Sequence, residues 1–159
     1  MITLISHSVE DTQRYAEQVS SHLKAGDILL LQGDLAAGKT KFVECCCQVL
    51  GYKDPVNSPT YTMANVYPLN DYDIVHADFY RMKSEGEIFE MGLDFYLDEA
   101  LIFIEWGERF ADFFSDYLHL QIEPVDGEET ARKLTFSATG PLWKKRFEEL
   151  RKTLENTAL

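Results

Sequence analysis

Residues 33–40 read Gly33-Asp34-Leu35-Ala36-Ala37-Gly38-Lys39-Thr40 and directly follow the apolar run Ile28-Leu29-Leu30-Leu31. They fit the pattern G-x-x-x-x-G-K-[ST], in which a glycine-rich turn joins a buried strand to the start of a helix. The glycines let the backbone wrap so that successive N–H groups point inward, and the new helix adds the positive end of its dipole. The lysine supplies a charge for the β- and γ-phosphates, and the threonine hydroxyl can bind a magnesium ion. This stretch predicts a phosphate-binding loop (P-loop) and a nucleotide-binding protein.

The composition predicts one acidic globular domain over residues 1–159. The chain is 45% hydrophobic and 13% aromatic, which is enough for a sizeable core. It has 15 basic and 27 acidic residues, for a formal net charge of −12. A field of this sign repels nucleic acid, so we expect no direct binding to RNA or DNA.

The lack of a predicted signal peptide or membrane span, together with the cysteine usage, favours a cytoplasmic protein. The first residues include neither a basic segment nor a long apolar segment, so no signal peptide is predicted. No stretch reaches the roughly 18 apolar residues that span a membrane. The three cysteines are contiguous, at Cys45, Cys46 and Cys47. Neighbouring helical positions point in different directions, so these cysteines cannot bind one metal together and are expected to be small core or surface residues in a reducing cytoplasm.

The order of elements predicts an α/β protein: a single-domain, P-loop NTPase-like fold with a mixed central sheet flanked by helices. The apolar patterns predict strands over residues 1–6, 27–32, 60–67, 74–79 and 101–105. Helices are predicted from residue 9 to a stop at Gly26, then over residues 39–50, 84–91 and 108–114, and from residue 141 onward. Residues 117–123 and 133–137 predict an antiparallel hairpin with a long loop around Asp126-Gly127.

Two acidic residues stand at predicted strand ends. Glu105 closes the apolar run 101–104, and Asp78 lies near the end of another strand. Ligand groups in open α/β sheets collect at the carboxyl ends of strands, where both carboxylates are expected to lie. Either could coordinate magnesium or its waters, while the other orients or deprotonates an attacking water. The alternative is that both acids simply face solvent where the strands stop.

Three further features have open interpretations. The segment Ser58-Pro59-Thr60-Tyr61-Thr62, called the hydroxyl loop here, could sense a γ-phosphate or could be an ordinary turn into a strand. His76 is interpreted as a packed strand histidine rather than a catalytic one. Arg81 could pair with a phosphate or with Asp78.

These motifs together resemble the TsaE family, small P-loop ATPases of bacterial tRNA threonylcarbamoyladenosine biosynthesis. The resemblance is carried, in order, by Gly-Asp-Leu-x-Ala-Gly-Lys-Thr, Ser-Pro-Thr-Tyr-Thr, His-x-Asp-x-Tyr-Arg and Ile-Glu-Trp, and it covers nearly the whole chain. The family usually has glycine where this chain has Ala36, and a small hydroxyl or apolar residue where it has Lys41. The change at Ala36 predicts a slightly different loop conformation with binding retained.

The resemblance implies that ATP and Mg²⁺ are the cofactors. It implies that Thr40 and Glu105 hold the metal, that Asp78 is needed for hydrolysis together with Lys39, and that the hydroxyl loop acts as a switch. It also implies that Thr12 and Arg132 flank the adenine. The nucleotide-binding set is then Thr12, Gly33, Leu35, Ala36, Ala37, Gly38, Lys39, Thr40, Thr60 and Arg132.

The resemblance further implies two protein partners of the same pathway, a catalytic ASKHA-type subunit and its non-catalytic paralogue. The ATPase cycle is expected to support carbamoyl transfer by that complex, with tRNA contacted only indirectly. Two other classes of protein stay open on the P-loop alone. One is a small P-loop kinase that acts on a small-molecule acceptor, and the other is a nucleotide-sensing interaction module.

Overall fold

The computed structural model describes residues 1–158. The strands are β1 (Ile2–Ser6), β2 (Ile28–Gln32), β3 (Ala64–Pro68), β4 (Asp73–Asp78), β5 (Leu101–Glu105), β6 (Tyr117–Val125) and β7 (Glu128–Thr139). The α-helices are α1 (Val9–Ser20), α2 (Lys39–Val49), α3 (Gly86–Glu90) and α4 (Pro141–Ala158), and short 3-10 segments span Leu93–Phe95 and Glu108–Phe113. None of the helices within residues 1–158 is long and apolar enough to cross a membrane.

All seven strands form one mixed sheet in the order β1-β7-β6-β2-β5-β4-β3. The four central strands, β6, β2, β5 and β4, are parallel to one another. The outer strands β7 and β3 run antiparallel to β6 and β4, and β1 pairs antiparallel with β7. The α/β fold with a mixed sheet that the sequence predicts is therefore confirmed.

The apolar run before the P-loop is buried on both faces of the sheet. Leu29 and Leu31 of β2 belong to a core shared with buried side chains of α1, α2 and α4. Ile28 and Leu30 belong to a second core on the opposite face, which includes residues of α3 and of the 108–113 segment. A parallel strand covered on both sides needs apolar residues at every position, which explains the continuous run.

The strand predicted to begin at Thr60 begins instead at Ala64. Met63 has a left-handed φ of 67°, and its N–H donates a 2.7 Å hydrogen bond back to the Pro59 carbonyl oxygen. Residues 60–63 therefore form a turn, and the hydroxyl loop lies outside the sheet. Alternation of side chains alone could not reveal this turn, because its cause is one residue's backbone conformation.

Three other predicted elements also differ from the structure by more than a residue or two, or in type. Helix α1 ends at Ser20 rather than Gly26, because the N–H groups of His22 and Leu23 bond the carbonyls of Val19 and Ser20 in tighter turns. The 108–113 segment is a 3-10 helix instead of an α-helix. The hairpin loop is only Asp126-Gly127, since β6 and β7 extend to Val125 and from Glu128.

The start of α4 depends on a carboxylate from elsewhere in the chain. Asp116 Oδ1 accepts hydrogen bonds from the backbone N–H groups of Leu142 (2.8 Å) and Trp143 (3.4 Å). Gly140 lies against this cap with a left-handed φ of 91°, and a Cβ there would be 2.2 Å from Asp116 Oδ1. Gly127 has a similar φ of 78° but open space around it.

We expect Gly140→Ala to destabilise the fold more than Gly127→Ala. The left-handed conformation should cost each alanine variant about 1–2 kcal/mol of unfolding free energy. Gly140→Ala adds a steric clash that displaces the cap of α4. Urea unfolding of both variants measures the difference, and equal losses would contradict the role of Gly140.

Candidate functional site

Parallel pairing sets the two predicted acids side by side. Asp78 is the register partner of Glu105 at the carboxyl ends of β4 and β5. Leu31 of β2 is the register partner of Glu105 on its other side, so the P-loop that follows β2 begins beside the same carboxylate. Both acids are buried, each with 3% of its surface exposed. They do not face open solvent, which was the alternative interpretation.

Glu105 is the centre of a hydrogen-bond network. Thr40 Oγ1 donates to its Oε2 at 2.9 Å and lies 3.2 Å from Oε1. His76 Nε2 lies 2.5 Å from the same Oε2 atom. The Tyr67 hydroxyl lies 3.1 Å from His76 Nδ1 and 3.1 Å from the carbonyl oxygen of Asn57. His76 is indeed packed in the core, but it also bonds the candidate metal ligand, a contact that the sequence interpretation missed.

Asp78 is tied to the hydroxyl loop. Thr60 Oγ1 donates to Asp78 Oδ2 at 3.2 Å, and Ser58 Oγ lies 2.7 Å from Thr60 Oγ1. The Tyr80 N–H donates to the other carboxylate oxygen at 2.8 Å. Burial raises the pKa of Asp78, and the nearby Glu105 charge acts in the same direction, although the Tyr80 N–H opposes both. The structure thus brings the loop and the two acids together.

The P-loop lysine contacts the protein itself. Lys39 Nζ donates to the Gly33 carbonyl oxygen and lies 3.5 Å from the centroid of the Trp106 ring. Burial lowers the pKa of Lys39, while the Glu105 and Glu108 charges oppose this shift. Trp106 was not among the predicted site residues. Its place directly after the strand-end acid Glu105 is the signal that could have identified it.

The start of α2 has backbone N–H groups without a side-chain cap. Helix α2 begins at Lys39 after Gly38, whose φ is 108°, and within residues 1–158 no side chain caps this helix. Ala36 has a left-handed φ of 63°, a conformation that costs a residue with a Cβ about 1–2 kcal/mol. The cleft over the loop is lined by Leu35, Ala36, Ala37, Gly38, Lys39, Thr40, Lys41, Ser58, Thr60, Asp78, Glu105 and Trp106.

A second pocket adjoins the P-loop and contains the two residues expected beside the adenine. Thr12 and Arg132 both line it, together with Val9, Ala37 and Ile122. Arg132 Nε donates to the Ala37 carbonyl oxygen at 3.2 Å, so the strand β7 is joined to the loop. The Thr12 hydroxyl lies 2.6 Å from Ser6 Oγ.

Arg81 and Gly33, two of the residues considered in the sequence, contact other parts of the protein. Arg81 is exposed and stacks over Tyr61, 5.7 Å from its ring centroid, rather than pairing with Asp78. Gly33 is absent from the lining of the cleft, and its carbonyl oxygen holds Lys39 instead. A Cβ at Gly33 would lie 2.7 Å from the Ile122 carbonyl oxygen, so close packing of the loop against β6 requires glycine here.

The donor set fits a magnesium ion that is bound together with phosphates. Within residues 1–158 no group of three histidine, cysteine, aspartate or glutamate side chains could hold a metal alone. Thr40 and Glu105 instead offer two kinds of oxygen donor in direct contact. Magnesium prefers oxygen ligands and usually binds through one or two carboxylates plus substrate phosphates.

We expect Asp78→Asn to raise the free energy of unfolding at neutral pH. The folded-state pKa of Asp78 is raised from 3.8, so its charge opposes folding at neutral pH and this penalty disappears as the pH falls through the folded-state pKa. The gain should therefore shrink toward pH 4. Urea unfolding at several pH values measures it, with exposed Asp126→Asn as the charge control. A gain that grows on acidification would contradict the burial of a charged Asp78.

Comparisons with known proteins agree on one family. A family model described as "Threonylcarbamoyl adenosine biosynthesis protein TsaE" matches residues 6–134. The protein of Bacillus subtilis named "tRNA threonylcarbamoyladenosine biosynthesis protein TsaE" is 34% identical over 143 residues, which cover 89% of this chain and 88% of that protein. A Rickettsia felis protein of the same name is 41% identical over 106 residues, covering 66% of this chain.

The match spans only 62% of the length of the Rickettsia felis protein. Among solved structures, the crystal structure of Bacillus subtilis YdiB superposes with a TM-score of 0.78 and 27% sequence identity. That superposition covers 95% of this chain and 94% of the other. Sequence and fold therefore agree over nearly the whole chain. The chain belongs to the TsaE family.

Proposed function

We propose that this chain binds and hydrolyses ATP with Mg²⁺, as a subunit of the machinery that makes threonylcarbamoyladenosine in tRNA. The names of its relatives support the pathway. The observation that carries the ATPase is the P-loop threonine bonded to Glu105, with Asp78 in register beside it. This arrangement combines a phosphate cradle, a candidate metal ligand and a second carboxylate for the attacking water.

Phosphate binding would use the backbone N–H groups at the start of α2 and the Lys39 ammonium. A phosphate oxygen is a stronger partner for that ammonium than the Gly33 carbonyl oxygen, because the phosphate carries a negative charge and the carbonyl does not. Lys39 would therefore exchange its contacts with Gly33 and Trp106 for the β- and γ-phosphates. Thr40 and Glu105 would hold magnesium, which neutralises charge on the phosphates when it is bound.

Asp78 would orient the attacking water or accept its proton. Its raised pKa makes the carboxylate a better proton acceptor than an exposed aspartate. Because Thr60 bonds Asp78 directly, a γ-phosphate in the cleft would also meet the hydroxyl loop. The adenine would lie in the adjoining pocket, between Thr12 and Arg132.

The proposal assigns the carbamoyl transfer and the tRNA contacts to partner proteins. A chain of net charge −12 is poorly suited to bind tRNA directly. We propose as partners the catalytic ASKHA-type subunit and its paralogue, and the cytoplasm as the compartment. The three cysteines are unpaired and buried, which is consistent with a reducing environment.

We expect ATP turnover by the isolated chain to be well below the ~10 s⁻¹ typical of enzymes and to rise when both partners are added. An arginine that stabilises γ-phosphoryl charge speeds such reactions about 10³–10⁵-fold, yet Arg81 stacks on Tyr61 and Arg132 bonds backbone carbonyls. Phosphate release is measured with and without the partners. Fast turnover that partners leave unchanged would contradict the proposal, and a phosphorylated small molecule would indicate a kinase.

Lys39→Ala should abolish turnover and cost about 1.5–3 kcal/mol of nucleotide binding, because it removes a charge-assisted hydrogen bond. Calorimetric titration with an unhydrolysable ATP analogue measures the binding. Lys144→Ala, an exposed lysine of α4, is the matched control and should behave as the wild type. Wild-type turnover in Lys39→Ala would rule out the P-loop as the active site.

Variants of the two acids should differ in how magnesium affects their binding of nucleotide. Glu105→Gln should weaken binding of the analogue far more in magnesium than in EDTA, because Glu105 is the proposed metal ligand. Asp78→Asn should bind magnesium and nucleotide nearly as well as the wild type but should fail to hydrolyse ATP. Calorimetry in both buffers makes the comparison, and the reverse pattern would exchange the two roles.

A further inference from the structure

We propose that Tyr67 and His76 are positioning residues that hold Glu105 in place and couple it to the backbone at the start of the hydroxyl loop. The predicted effect on magnesium-dependent nucleotide binding rests on the function proposed above. The coupling itself is a property of the protein without nucleotide. Neither residue lines the cleft, so both would act only through Glu105 and the loop.

The first step is the fixation of the Glu105 carboxylate. Its Oε2 atom lies within hydrogen-bond distance of both Thr40 Oγ1 and His76 Nε2, and the His76 side chain is completely buried. A buried carboxylate or imidazole without a partner pays a large desolvation penalty, so each of these groups restricts the other. Thr40 lines the cleft and would have to share its hydroxyl oxygen with a metal ion there, whereas His76 does not line the cleft and would keep its contact with Glu105.

The second step is the fixation of the His76 ring by Tyr67. Tyr67 is buried on β3, and its hydroxyl lies 3.1 Å from His76 Nδ1 on the adjacent strand β4. The two ring centroids are 5.9 Å apart. The imidazole therefore has a partner on each nitrogen, and its plane cannot rotate without losing one of them.

The third step connects this chain of contacts to the hydroxyl loop. The Tyr67 hydroxyl lies equally close to the carbonyl oxygen of Asn57, the residue directly before the loop. A hydroxyl has one proton, so it donates either to Asn57 or to His76. A displacement of Asn57 would therefore change the hydrogen bonding of His76 and, through it, that of Glu105.

The loop is thus joined to both acids by separate routes. Thr60 bonds Asp78 directly, while Asn57 reaches Glu105 through Tyr67 and His76. A partner protein or a γ-phosphate that moves this loop would act on the metal-side carboxylate and on the second carboxylate together. Residues that only stabilised the fold would have no reason to affect magnesium selectively.

The first experiment measures hydrogen exchange of the backbone amides in residues 57–62 of the nucleotide-free protein. Tyr67→Phe removes one oxygen atom and should speed this exchange about 2–10-fold, the effect of losing one hydrogen bond. Tyr15→Phe is the matched control, because the hydroxyl of this buried tyrosine also bonds a backbone carbonyl, that of Ile5. Exchange in Tyr67→Phe equal to that in the control would overturn the coupling.

The second experiment compares the affinity for an unhydrolysable ATP analogue in magnesium and in EDTA. His76→Leu should reduce the gain from magnesium about 10–100-fold, as loss of a residue that orients a metal ligand does, and should leave binding in EDTA unchanged. His76→Gln keeps an N–H donor and should restore part of the gain. An undiminished gain in His76→Leu would overturn the positioning role.

Two further outcomes are decisive. If His76→Leu does not fold, Tyr67→Phe replaces it in the second experiment and should show a smaller reduction of the same kind, while no reduction would overturn the positioning role. If the wild type itself gains nothing from magnesium, the proposed function and the magnesium part of this inference both fail. The exchange experiment, which uses no nucleotide, then still decides whether Tyr67 couples to the loop.

Discussion

The parallel pairing of β2, β5 and β4 is the constraint on which the site depends. It brings three carboxyl strand ends to one edge and fixes Asp78 and Glu105 as neighbours. Two buried carboxylates at adjacent register positions repel each other, and each needs donors to offset the loss of water. Thr40 and His76 supply them for Glu105, and Thr60 and the Tyr80 backbone for Asp78. The adjacent burial of two carboxylates therefore explains why so many hydrogen bonds converge on them.

The features of the site that the sequence predicts are those that depend on residues close together along the chain. Glycine spacing predicts the P-loop, and an apolar run ending in an acid predicts where Glu105 lies. The contacts of His76 and Tyr67 were missed because they join residues on different strands, 29 positions apart in the case of His76 and Glu105. The predicted strand start at Thr60 was wrong, because no pattern of side chains in the sequence signals the left-handed backbone conformation of Met63. Cross-strand register, rather than local pattern, decides which polar side chains meet.

The environment of Lys39 shows how the protein keeps a charged side chain at low solvent exposure. The ammonium lies against the face of Trp106 and the carbonyl oxygen of Gly33. Both are neutral partners that are weaker than a phosphate. Burial already lowers the pKa of this lysine, so a stronger anionic partner would relieve a desolvation cost that is present in the protein itself. Trp106, directly after Glu105, is therefore a weak partner of Lys39 that a phosphate could replace.

The pairing of β1 with β7 limits the order in which the sheet can form while the chain is being synthesised. Ile2 is the register partner of Phe136, so the first strand of the chain cannot join the sheet until a strand made 134 positions later is available. At about 5–20 residues per second, the ribosome takes roughly 7–27 s to make that interval. During that time the backbone groups of residues 2–6 lack the partner strand that they have in the folded protein, and unpaired strand edges favour aggregation. The pocket between α1 and β7, with Thr12 on one wall and Arg132 on the other, would be the last part of the site to be assembled.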